Sequence, residues 1–263
     1  MGWFIMRAER SYAKIKENLD MRRELLFMKK YTLSITYVIL LTLCLPLTCL
    51  YIWLLTVLPI PWDALEAWAD SFGRGMLVIL LFLLPAGIYW FVVLIFGVLD
   101  IIKSFKAYKS GDAAGCVNRM LIHKYGLVVF FAVNFFVMFL LYFVMTFGVL
   151  IGTRGLAIFA APVLLPWLIA AVAFTVFATW LAVVPGGVCG IQVIRFTYRE
   201  KRMGIGMAVL HGILQFMFLA DVLDAMYLAV KKWGMGKKSS VVIAVLYVLM
   251  LGGIIWGAVK VFG

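Results

Sequence analysis

From Gly126 to Ile194 the chain carries a single formal charge, Arg154, across 69 residues. A water-soluble fold has no place for such a run, because backbone and side chains of that length need a solvent that accepts apolar surface. The rest of the chain agrees: 66% of residues are hydrophobic and 14% charged, against about 45–50% and about 25% in soluble domains. Mean hydropathy is +1.09. The apolar runs are continuous rather than alternating, which excludes a membrane β-barrel and leaves helices as the way to satisfy the backbone inside lipid. The expected fold is therefore an all-α, polytopic helical membrane bundle.

Spans are expected at about 31–58, 75–102, 125–152, 156–184, 207–230 and 241–259, six in all. Pro85-Ala86-Gly87 is expected to kink the second, and Pro185-Gly186-Gly187 to end the fourth and release a basic segment. Residues 1–30 form a separate unit: 3–30 hold eight basic and four acidic residues. Ala8, Tyr12, Ile15 and Leu19 line one helical stripe. With Trp3, Phe4 and Ile5 as an apolar anchor, this reads as an amphipathic helix lying on the cytoplasmic membrane surface. The first apolar run starts too late and is too long for a cleavable signal peptide. "MGWFIM" lacks the Ser or Thr of a myristoylation signal.

Charge sets the orientation. The N-terminus, the 103–124 loop (five basic, one acidic) and 195–202 (four basic, one acidic) are expected in the cytoplasm, and the acidic 59–74 loop outside. The stretch "LHGILQFMFLADVLDAMYLAVKK", 210–232, disturbs this order. If 207–230 crosses, 18 basic residues lie inside and six outside; if it does not, 21 lie inside and three outside. Each aspartate near a helix centre costs about 2.5–3.5 kcal/mol to insert, and Asp221 and Asp224 are both there. Its length and apolarity meet the criterion for a span. Charge favours the alternative of five spans plus a re-entrant or interfacial helix.

"LLPAGIYWFVVLIFGVL" and "VVPGGVCGIQVIRF" each set proline and glycine late in a span, with a basic loop after each. Then come "RMLIHKYGLVVFFAVN", with His123 and Asn134, and "MAVLHGILQFMFLAD", with His211 and Asp221. The correspondence suggests a duplicated two-helix unit. "MLIHKYGLVVFF" and "LHGILQFMFLADVLDA" resemble segments of uncharacterised polytopic membrane proteins of Gram-positive anaerobes. The resemblance covers about a quarter of the chain and implies membrane residence with no established activity.

Recognisable catalytic and nucleotide signatures are absent: no G-x-x-x-x-G-K-[ST], H-E-x-x-H or G-x-S-x-G. Cys44, Cys49, Cys116 and Cys189 form no C-x-x-C pair and read as small core residues, not as a zinc site or disulfide frame. No catalytic residue, cofactor or metal is expected, and no enzyme activity. The net charge of +12 is distributed between apolar runs, which points to anionic headgroups rather than nucleic acid. Gly148/Gly152, Ala178/Ala182, Gly186/Gly190 and Gly253/Gly257 have the spacing of close helix packing. Asp221 and Asp224, with His211 and Gln215, are the candidate ion, proton or polar site, because intramembrane carboxylates mark such paths. Otherwise the aspartates face cytoplasmic water or pair with the basic 195–202 segment. Asp100, beside Lys103 at a span end, reads as interfacial. The expected function is a transport component or accessory subunit in the cell membrane. The alternatives are a non-enzymatic scaffold that binds a protein partner or a second copy, and, more remotely, an intramembrane enzyme.

Overall fold

The computed structural model describes residues 2–69, 72–156, 159, 161–217 and 220–262. Among them all regular structure is helical: α1 Gly2–Val57, α2 Trp62–Trp68, α3 Phe72–Lys109, α4 Ala113–Gly152, α5 Ala161–Arg199, α6 Ile205–Leu214, α7 Ala220–Tyr227 and α8 Lys237–Phe262. A short π-helical turn, Leu228–Lys232, extends α7. Among the described residues, four helical stretches are long and apolar enough to cross a membrane: Leu26–Val57, Gly73–Lys109, Ala113–Gly152 and Leu168–Arg199.

Contacts fix the directions. Ser34 meets Asp100 and Tyr51 meets Phe82, so α1 runs antiparallel to α3. Tyr31 meets Asn118 and Thr42 meets Asn134, so α1 runs parallel to α4. The α3–α4 turn is closed by Asp112, whose carboxylate accepts from the Gly115 N–H at the start of α4 and pairs with Lys30 at 2.7 Å. Burial alone raises the Asp112 carboxyl, but Lys30 and the Gly115 N–H hold it below the usual carboxylate range.

The helix α1 runs without a break from Gly2 through the first span to Val57. The expected interfacial stripe falls on side chains that lie outside the described residues. The proline-rich helix ends also differ from expectation. Pro185 does not end a helix, because α5 continues fourteen residues past it to Arg199. The carbonyl that loses its donor is the one four residues before a proline; neighbouring helices reach that carbonyl at Pro46 and the one after it at Pro85 and Pro185. The Tyr37 hydroxyl reaches Ala182 O, three residues before Pro185, at 3.4 Å. The Tyr51 hydroxyl donates to Phe82 O, three residues before Pro85, at 3.0 Å. Asn134 Nδ2 reaches Thr42 O, four residues before Pro46, at 3.5 Å.

Segment 207–230 is not one helix. It is broken after Leu214 into α6 and α7, of 10 and 8 residues, each far short of the roughly 20 that span a bilayer. Its two ends return to the same place. Arg202 Nη1 donates to Lys232 O at 2.7 Å, and Lys232 Nζ donates to Arg202 O at 3.1 Å. The Arg202 guanidinium lies over the Trp233 ring at 4.5 Å, and Trp233 Nε1 donates to Thr197 Oγ1 at 2.9 Å. The hairpin therefore enters and leaves at the end of the bundle that also holds Lys103, Lys106, Lys109, Arg195 and Arg199.

From there α8 runs alongside α4 in the same direction. Gly236 lies against Leu121, Tyr125 meets Ser240 at 2.5 Å, and Val128 packs with Ile243. The buried core is concentrated at this basic end. Cys116, Val117 and Met120 of α4 interlock with Cys189, Val193 and Phe196 of α5 and with Ala225, Leu228 and Ala229 of the hairpin. The opposite ends of α3, α4 and α5 are mostly exposed and apolar, a surface suited to lipid.

Candidate functional site

The glycines of "PGGVCG" shape the site. A methyl group at Gly186 would sit 3.1 Å from the His123 Cβ, at Gly187 2.6 Å from the Phe216 ring, and at Gly190 2.1 Å from Gln215 Oε1. This face of α5 therefore lets α4 and the hairpin approach its backbone. Of the small-residue pairs named above, Gly186/Gly190 makes such contacts, while Gly148 and Gly152 have nothing within 4 Å.

Against that face lie two buried polar clusters, joined by the adjacent His123 and Lys124 of α4. In the first, Asp100 of α3 is fully buried. It accepts from Arg119 Nη1 at 2.8 Å and from Ser34 at 2.8 and 3.0 Å, and it contacts His123 Nε2. Asp100 thus stands near a span end beside Lys103, but buried between helices and paired. Three helices converge on it, and Arg119 supplies its counter-charge. Ligand atoms of Asp100, His123 and Cys189 lie within 4.8 Å of one another, close enough for one metal ion. A cation there would compete with Arg119 for the same carboxylate and leave that guanidinium buried without its partner, a costly exchange.

The second cluster collects all four residues singled out from the sequence. His211 Nδ1 contacts Asp224, and Gln215 Nε2 donates to the other Asp224 oxygen at 2.6 Å. The His211 ring stacks on Tyr227, with centroids 5.4 Å apart. Asp221 pairs with Lys124 Nζ at 2.8 Å, and the same ammonium donates to Gln215 O at 2.7 Å, beside the break between α6 and α7. The aspartates accordingly do not pair with the 195–202 segment. Their partners are Lys124 and His211. Lys124 and Asp221 are both fully buried. Lys124 lies eleven residues into α4, about 16 Å along it from the α3–α4 turn.

Sequence reading missed Lys124, Arg119 and Ser34. No periodicity marks them, because each partner lies on a different helix, 66 residues away for Ser34–Asp100, 19 for Arg119–Asp100 and 97 for Lys124–Asp221. The available signal was the number of charges just inside the apolar runs, where an unpaired Lys124 is too costly to leave alone.

Beside the second cluster is a cavity of about 570 Å³ lined by Cys44, Trp90, Phe130, Asn134, Ala178 and Asp221, among others. Phe135, Phe136 and Phe174 of its wall are exposed, so it opens at the side of the bundle. Among the described residues, two lining side chains hold buried acceptors without a hydrogen-bond partner, Asn134 Oδ1 and Asp221 Oδ1.

No curated protein and no solved structure gives a significant match to the chain. The family of unknown function DUF6652 matches residues 36–234, a stretch that runs from the first span through the whole hairpin and includes Asp100, His123, Lys124 and Asp221. With well over half of its length matched, the chain belongs to that family.

Proposed function

We propose that the protein is a transport component of the cell membrane, with five crossing helices (α1, α3, α4, α5 and α8) and a re-entrant α6–α7 hairpin. The N-terminus and the basic loops face the cytoplasm. The observation that carries the reading is the buried Lys124–Asp221 pair, set beside an apolar cavity by a hairpin that returns to its own side. Intramembrane ion pairs are expensive to maintain and are characteristic of substrate or proton paths, and broken helices at membrane depth are tolerated where protein or a cavity covers them. Asp221 is the group that binds or exchanges, and Lys124 holds its charge. His211 and Gln215 fix Asp224 and with it the hairpin.

The test is proton movement in inverted membrane vesicles carrying the protein and an imposed pH gradient. The wild type dissipates the gradient faster than vesicles without it, and Asp221→Asn does not, while retaining the elution profile of a folded protein. Equal rates for wild type and Asp221→Asn would reject the path.

A scaffold role has one observation of its own. The helix α1 continues more than twenty residues beyond its spanning stretch, an arm long enough to hold a protein partner. Deleting residues 2–25 then releases a co-purifying partner in gentle detergent. A full-length protein that purifies alone argues against this second reading.

A further inference from the structure

We infer that the lateral cavity binds an uncharged amphiphile with an apolar body and a hydroxyl head, a long-chain alcohol or a lipid-like molecule with a free hydroxyl. The inference rests on the transport reading, since it names the class of substrate at the same site.

Most of the wall is apolar, with Cys44, Val128, Phe130, Phe131 and Ala178 in it; the Thr175 and Thr179 hydroxyls of the lining already donate to α5 carbonyls, and Trp90 adds an indole N–H. A plain hydrocarbon would fill it, but two side chains in the lining carry unsatisfied acceptors, Asn134 Oδ1 and Asp221 Oδ1. Asn134 is 6% exposed and Asp221 0%. The donors of Asn134 are already committed, since Nδ2 gives to Phe130 O at 2.7 Å and reaches Thr42 O at 3.5 Å. The site thus offers acceptors and asks for donors, because a buried acceptor left unmade costs desolvation that a ligand O–H can recover.

Charge decides which donor. The Asp221 carboxylate is already matched by Lys124 at 2.8 Å. A cationic head would stand beside that ammonium with its counter-ion shared, and an anionic head would set oxygen against oxygen at both acceptors. A hydroxyl donates without adding charge to a low-dielectric site.

The experiment uses Trp90, which lines the cavity. The full chain in detergent is titrated with bromo-undecanol, bromo-undecanoate and bromo-undecane, and quenching of tryptophan fluorescence is followed. The difference between wild type and Trp90→Phe isolates the cavity signal. The alcohol is expected to quench at concentrations about three- to tenfold lower than the other two, the range one hydrogen bond supplies. Ala178→Phe, which fills the cavity, abolishes the Trp90 signal for all three probes. Asn134→Leu removes the preference for the alcohol while keeping the signal.

Equal quenching by all three probes means an acyl chain occupies the cavity without head recognition, and overturns the inference. So does preference for the carboxylate. The result is independent of flux. Hydroxyl-selective binding without proton movement leaves this inference standing and removes the transport reading. Proton movement without hydroxyl selectivity does the reverse.

Discussion

Lys124 and Asp221 form a pair in which each side chain is tolerable only because of the other. Replacing one partner leaves a charge buried without a match, which typically costs about 3–5 kcal/mol, while replacing both with apolar residues of similar size costs much less. Thermal melts in detergent should show Lys124→Met and Asp221→Leu each strongly destabilised and the double variant closer to wild type. Additive losses would mean that the two charges do not act as a pair.

Gly190 gives a second expectation. A methyl group there meets Gln215 Oε1 at 2.1 Å, so Gly190→Ala must push the hairpin away from α5, at a cost of about 1–3 kcal/mol. Gly148→Ala, in open space, should be neutral in the same melts. The four hairpin residues were legible in the sequence because polar groups in an apolar run are conspicuous. Their partners were not, since Lys124 reads as one more loop cation and Asp100 as the companion of Lys103 until three-dimensional contacts assign them. The small-residue spacings show the same limit. Four pairs look alike in one dimension, and neighbours separate Gly186/Gly190 from Gly148/Gly152.

Hydroxyls from α1 brace α3 and α5 near their prolines. Tyr51–Phe82 and Tyr37–Ala182 each fall three residues before a proline, Pro85 of α3 and Pro185 of α5. Tyr51→Phe should therefore cost about 1 kcal/mol. Thermal melts in detergent measure the loss, and an unchanged melting temperature would refute the bracing. At the α3–α4 turn, Asp112→Ala removes an N-cap, expected to cost about 1 kcal/mol. Because the folded Asp112 carboxyl sits below its unfolded value, this contribution is complete above roughly pH 4 and is lost as pH falls through the depressed folded value. Apolar run length pointed to the four long apolar helices. It overlooked the continuity of α5 through Pro185, because the contact that braces that turn comes from α1. It also rendered 207–230 as one unbroken helix, because hydropathy averages over a break.

Across the whole molecule, one end is ordered by charge and packing and the other is left apolar. Aromatic rings hold the cations of the basic end in place, with Arg195 and Arg199 over Tyr108 at 4.8 and 5.8 Å. The positive charge that suggested anionic lipid is thereby gathered on one face, with Lys232 brought to Arg202. In the re-entrant arrangement proposed above, the α6–α7 hairpin reconciles charge bias with hydropathy: the segment is apolar because it packs at membrane depth, and its flanks are both basic because they share a side. The most direct check is labelling with a membrane-impermeant maleimide of Lys232→Cys, read above the background of the native cysteines. Lys106→Cys serves as the cytoplasmic reference and Asp63→Cys as the external one. A re-entrant hairpin predicts that Lys232→Cys is labelled with Lys106→Cys, in inverted vesicles and not in intact cells. Labelling in intact cells, alongside Asp63→Cys, would contradict the hairpin and make 207–230 a span.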